Sequence, residues 1–278
     1  MAQRARDVRW EARSRQLRCF FLDWGPTPVD EVAQHASETL AWAERQGIRS
    51  TERGVRNVLA RAEAMRGDFG AARKHIERRD QIGPSTSEPL LAVADAMTDA
   101  SVDLLEDRPT DAGRTLRQAY STLKEAEGHG PLANVAAMLA RALLVEGRDD
   151  EAERLAEECA GIAPESQRDA QIKHREIRAL VLARRAASQG GPDAGALAEE
   201  AQTLAREAVA LSEQSEQLDS RAQALYDLAE VLGRAGRWDE AEEAVERARE
   251  LWLQKGNLVS ADKAPKLLEE LRQGGSAG

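Results

Sequence analysis

The sequence predicts an all-α protein, an α-solenoid of about six antiparallel helical hairpins ending in a capping helix. Two observations predict it. The first is composition: Ala, Leu, Glu and Arg dominate, all strong helix formers, while aromatic residues make up only 4 % of the chain. Strand formers are scarce apart from some Val and Thr. The second is an internal repeat with a period near 40 residues, which appears in two independent registers.

The repeat is visible in RAEAMRGDFGAARKHI (61–76), RALLVEGRDDEAERLA (141–156) and LAEVLGRAGRWDEAEEAV (228–245). Each holds an apolar-periodic helix, a Gly, two or three polar or aromatic residues, and a second helix entered near an alanine. Those second-helix alanines are Ala33, Ala72, Ala112, Ala152, Ala201 and Ala241, at steps of 39, 40, 40, 49 and 40. The small residue of each first helix recurs at Ala60, Ala100, Ala140, Ala179 and Ala229, at steps of 40, 40, 39 and 50. Both registers stretch once, in the same repeat, where the Gly/Pro segment SQGGPDAGA (188–196) is inserted and reads as a loop. Antiparallel helices cross closely where small side chains meet, and alanine in both helices permits this.

Taken in order, the first hairpin (4–46) joins an Arg-rich segment to a helix entered through GPTPVDEV (25–32). The second (51–82) carries Ala60, Gly67 and Ala72, with the glycine where the first helix must stop. The third (88–127) lacks a turn glycine near Asp107 and places polar Asp99 and Asp103 where apolar residues usually stand. The fourth (131–163) has the stripe Ala136, Leu139, Leu143 and the turn residue Gly147. The fifth (167–214) contains the insertion, and the sixth (217–254) repeats the pattern with Leu225, Leu228, Leu232 and Gly236. A cap helix is expected over 260–272, begun or kinked by Pro265, and the Gly/Ser/Ala tail 273–278 reads as disordered. Trp238 and Trp252 read as wedges between hairpins.

These residues resemble the tetratricopeptide repeat family. Residues 136–164 follow its pattern through Leu139, Ala140, Leu143, Gly147, Ala152 and Pro164, and residues 225–252 through Leu228, Ala229, Leu232, Gly236, Trp238, Ala241 and Ala248. The period is longer than the family's usual 34 residues. The segments GPTPVDEV, LAREAVALSE (204–213), ALYDLAEVLGRAGRWDEA (224–241) and LWLQKGNLVSA (251–261) resemble the C-terminal repeat tails of bacterial nucleotidyl-cyclase/ATPase-type signalling proteins and transcriptional activators. That resemblance implies a right-handed superhelix that binds partners and regulates other domains. The repeat begins almost at Met1, so either the natural chain starts there or an upstream domain precedes it.

Chemistry is sought and not found. No GxxxxGK[ST], CxxC or HExxH motif occurs, and His35, His75, His129 and His174 are too scattered to read as metal ligands. Gly128, Gly130 and Ala133 fit a dinucleotide fingerprint, but a helix precedes them instead of the required strand. The GxSxG at 274–278 is the end of the chain and not a strand–turn–helix elbow. Carboxylate clusters such as Asp149–Glu151 and Asp239–Glu243 suit helix first turns. No catalytic residue, metal site or cofactor is expected, and the protein does not read as an enzyme.

A net charge of −10 disfavours general nucleic-acid binding. The six arginines among residues 4–18 can be read as a transit peptide, but a solvated helix face with Trp10, Leu17 and Phe20 turned inward is preferred. Cys19 and Cys159 read as two packed thiols in a reduced cytoplasm, and no apolar run approaches the length of a membrane span.

Binding is expected on the concave side, which first helices line. In register order the candidates are Asn57 and Arg61, Asn134 and Arg141, then Lys173 and Glu176, and finally Gln223, Tyr226 and Glu230. The expected function is a protein or peptide interaction scaffold of a signalling or transcription-regulatory system. The alternative is a helical-repeat receptor for a ligand or peptide. A homodimer through a terminal hairpin is a further expectation.

Overall fold

The computed structural model describes residues 2–83, 89–125, 129–163, 167–189 and 192–275. They form thirteen helices and no strand: α1 Ala2–Trp24, α2 Val29–Gln46, α3 Arg49–Arg66, α4 Phe69–Gln81, α5 Pro89–Leu105, α6 Pro109–Glu125 and α7 His129–Val145. The chain continues as α8 Asp149–Ile162, α9 Arg168–Gln189, α10 Pro192–Ser212, α11 Leu218–Arg234, α12 Trp238–Lys255 and α13 Leu258–Gly275. Consecutive odd- and even-numbered helices pair as antiparallel hairpins, each odd helix packs on the next odd one, and α13 caps the last hairpin. The architecture is a right-handed superhelix of six helical hairpins.

The alanine registers are the helix crossings. Ala60, Ala100, Ala140, Ala179 and Ala229 all have no exposed surface, and neither do Ala72, Ala112, Ala152, Ala201 and Ala241. A methyl group at each crossing lets two backbones approach, and the Leu stripes then fill the space between hairpins. Gly67, Gly147 and Gly236 reverse the chain in the left-handed region, at φ +88°, +75° and +73°. The third hairpin makes the same turn without glycine, because Asp107 itself takes φ +63°. Asp is among the residues that tolerate this region best.

Three sequence expectations change. The 188–196 segment does not form a long loop: α9 and α10 run to Gln189 and from Pro192, so the insertion lengthens both helices of the fifth hairpin. The polar Asp99 and Asp103 are not misplaced core residues; they take Arg79 and Arg73 as ion partners. On α1, Trp10 and Leu17 do not turn inward but stand 68 % and 42 % exposed, while Phe20 is half-buried. The reason is close packing. The inner face of α1 is made by small or polar Ala12, Cys19 and Asp23, and it lies so near α3 that a Cβ at Gly54 would sit 2.2 Å from the Gln16 amide. Bulky rings have no room there.

Pro265 lies inside α13, which starts at Leu258. The tail beyond Gly275 and Gly128 of the glycine fingerprint lie outside the described residues. Among those residues no helix is long and apolar enough to cross a membrane. Trp252 is buried in the last hairpin, its ring 5.5 Å from that of Tyr226, and Trp238 is half-buried against Gly233.

Replacing Ala152 or Ala241 by Leu is expected to destabilise the chain by about 1–3 kcal/mol, since a larger side chain at a closed crossing forces backbone shifts. Thermal denaturation checks this. Unchanged melting of both variants would place the crossings elsewhere.

Candidate functional site

The superhelix closes on itself. The ammonium of Lys255, at the end of α12, is 1 % exposed and donates to the carbonyl oxygens of Leu22, Asp23, Gly25 and Thr27 at 3.3, 2.7, 2.9 and 2.9 Å. Those carbonyls are the unsatisfied C-terminal end of α1 and the turn that follows, where the helix dipole is negative. Next to this seam α13 packs on α3, and Lys263 reaches the Leu104 carbonyl of α5 at 3.4 Å. The C-terminal helices therefore seat on the first hairpins.

Two buried ion networks lie between stacked helices. The first joins α3, α4 and α5. Arg53 donates to the Arg79 and Gly83 carbonyls at 3.0 and 2.9 Å and pairs with Asp95. Asn57 donates to Asp95 at 2.8 Å and accepts from Arg79 at 3.0 Å, and Arg79 holds both oxygens of Asp99. Arg79 also pairs with the half-exposed Asp80 at 2.9 Å, so two guanidinium groups face the carboxylates of Asp95 and Asp99 inside and that of Asp80 at the surface.

The second network joins α7, α9 and α11, and it is not balanced. Arg141 bridges Asp227 at 3.0 and 2.5 Å and Glu176 at 2.7 Å, and Gln223 donates to Asp227 at 2.8 Å. Burial works against the Arg141 charge, but Asp227 and Glu176 outweigh it and hold the guanidinium above its usual value. One cation cannot fully compensate two anions. Burial, reinforced by Asp227, pushes the Glu176 carboxyl up to about 7, and burial raises Asp227 as well.

The candidate residues can now be placed. Asn57 belongs to the first network; Arg141, Glu176 and Gln223 meet in the second. Glu230 borders the second network, accepting from Arg234 at 3.0 Å and lying 3.4 Å from Arg184. Arg61 sits at the seam, its Nε 3.3 Å from Asp23. Lys173 pairs with Asp169 one turn away, Tyr226 lies tilted against the Trp252 ring, and Asn134 is half-buried on α7. Sequence reasoning missed Lys255, Arg53, Arg79, Asp95 and Asp227. The one available signal was the run of acids at 95, 99 and 103 on a helix that is otherwise apolar.

No metal-type cluster of His, Cys, Asp and Glu occurs among the described residues. Burial, with Arg175 and Arg178 nearby, lowers His174 to about 4, so its ring is neutral at pH 7. Burial raises Cys159 to about 11, and both cysteines are free and buried.

No family model and no curated protein matches the sequence. Among solved structures the chain is similar to BtubC (BKLC) from P. vanneervenii, with a TM-score of 0.54 and 17 % identity, over 81 % of this chain and 91 % of that one. It also aligns with the TPR-like repeats of a putative kinesin light chain from Podosopora anserina, with a TM-score of 0.44 and 20 % identity, over 70 % of this chain and 92 % of that one. The fold is a tetratricopeptide-like helical repeat. At these identities the likeness speaks to the fold alone.

Glu176→Gln is expected to flatten the pH dependence of stability. A carboxyl whose folded-state pKa is raised binds more protons folded than unfolded, so its contribution is fully present below pH 4.5 and is lost as pH rises through about 7. The variant should therefore melt about 2–4 °C above the parent at pH 8, with a smaller gain at pH 5. Equal differences at both pH values would mean that Glu176 does not titrate in this window.

Proposed function

We propose that this protein is a non-catalytic interaction module of a bacterial signalling or transcription-regulatory system, acting in the cytoplasm, whose concave face engages a protein or peptide when the ring opens. One observation carries the proposal: the concave side chains suited to grip a partner already grip one another, and the seam centres on one lysine. Arg61 pairs with Asp23 at the seam, and Arg141 pairs with Glu176 and Asp227 inside it. A partner segment carrying carboxylates and cations would exchange for these internal pairs. Such an exchange conserves the number of charge-assisted hydrogen bonds and depends on the cost of opening the seam.

A second possibility, a ligand-sensing receptor, is favoured by the imbalance of the second network. Two buried carboxylates around one guanidinium would accept a small cationic group. In that case a metabolite, and not a protein, would co-purify with the chain.

The test is affinity capture from lysate of the source organism with the parent chain, Lys255→Met, and Arg61→Ala/Arg141→Ala. Removing the ammonium leaves four carbonyl oxygens without their donor, so hydrogen exchange at the α1–α2 turn and in α13 should accelerate about tenfold or more. The Lys255→Met chain should retain several-fold more of the same partner, and the arginine variant should retain none. Equal retention by all three chains would contradict a gated concave site.

A further inference from the structure

The outward side of α1 carries an apolar stripe that nothing among the described residues covers. Trp10, Leu17, Phe21 and Trp24 stand 68 %, 42 %, 74 % and 53 % exposed. Their spacing places them on one side of the helix, opposite the buried face of Ala12, Cys19 and Asp23. They are four of the seven large exposed hydrophobic residues of the described chain; the others are Val145 at the end of α7, and Leu253 and Leu258 on either side of the α12–α13 turn. An aromatic side chain carries about 150–250 Å² of surface, so the three rings leave roughly 400 Å² of apolar area in water. That equals the largest patch on a typical monomer, about 300–600 Å², which is often functional.

We propose that this stripe is a homodimer interface on which α1 of a second copy of the chain packs antiparallel. It goes beyond the gated concave site and does not depend on it, because the stripe lies on the outside of the ring. Two rows of rings buried about a two-fold axis supply roughly 800 Å², and their polar flanks bring the total to about 1,200 Å², the lower bound of specific interfaces. Charge fixes the direction. Parallel helices would set Arg9, Arg13 and Arg18 beside their own copies. An antiparallel pair instead lays the basic first half of one α1 along the partner's α1–α2 turn, after which exposed Asp30 and Glu31 follow. A net charge of −10 favours this basic helix meeting the same acidic chain over an anionic bilayer.

The register follows from size. Ser14 is the small residue within the stripe, and placing it against the partner copy's Leu17 brings the helices closest at the two-fold axis. Trp10 then stacks on the partner copy's Phe21, at both ends of the pair. On the flank beside Ser14, Glu11 faces the partner copy's Arg18. Both are exposed in the single chain, where Glu11 accepts from Arg15 at 2.8 Å and Arg18 lies 3.4 Å from His35.

Sedimentation equilibrium of the full chain tests the proposal. The parent should be dimeric at about 100 μM. Trp10→Ser/Phe21→Ser should be monomeric and, at dilutions where the parent is also monomeric, should melt at the parent's temperature, since neither ring is buried within one chain. Glu11→Arg and Arg18→Glu should each weaken the dimer about fivefold or more, and the two together should restore it. A monomeric parent, or a dimer that survives loss of both rings, overturns the interface. Failure of the double exchange to restore affinity overturns the antiparallel register. A monomer that sediments with phosphatidylserine/phosphatidylcholine vesicles, and loses this with Trp10→Ser, assigns the stripe to a bilayer and also overturns the dimer.

Discussion

The ammonium of Lys255 in its cage of four carbonyl oxygens is the constraint on which the rest of this architecture depends. A buried charge is tolerated only when hydrogen bonds replace its water, and here the replacement comes from the C-terminal end of another helix and the turn after it. The cage solves two problems at once: it solvates the lysine, and it satisfies carbonyls that α1 cannot satisfy itself. Burial lowers the Lys255 pKa while Asp219 and Asp23 oppose the shift, so the charge is held by its surroundings as well as by the cage. Closure then follows from geometry, because α12 cannot reach the end of α1 unless the intervening hairpins complete a turn.

The charged residues buried in this chain pair between neighbouring helices. Asn57 is held by Asp95 and Arg79 on the helices next to it, and Arg141 by Glu176 and Asp227 on the helices that follow it. The first network meets this with two guanidinium groups, Arg53 and Arg79, for its two inner carboxylates, Asp95 and Asp99, while the third, Asp80, reaches the surface. The second leaves a carboxylate in excess, and Glu176 answers with a raised pKa. Breaking a buried pair costs far more than an exposed pair contributes, so these networks fix how neighbouring hairpins stack without adding much net stability.

The fold was legible because it is written in local rules. Alanine at each crossing and glycine at each reversal recur with the repeat, and even the missing glycine is explained by Asp107. The insertion was located but misread, since Gly and Pro inside SQGGPDAGA mark a break and do not tell how far the flanking helices extend. Periodicity also found a stripe on α1 without telling which side is covered; that depends on Gly54 of α3 meeting Gln16. The inner positions of α3, α7, α9 and α11 could be listed, but their pairing could not. Arg141 and Asp227 are 86 residues apart, and Lys255 meets backbone carbonyls, which have no sequence signature.

The solenoid is a ring, and the distance between α2 and α12 across the seam measures this. Spin labels at Glu31→Cys and Gln254→Cys would report it by pulsed electron resonance, with excess unlabelled chain to remove signals between molecules. Both positions are exposed, and the native cysteines are buried. A Cβ at Gly256 would lie 3.3 Å from Val29 Cβ, so each label sits two residues from that contact and the pair should show one narrow distance below about 20 Å. A broad distribution at longer distances would mean that the ends are apart in solution.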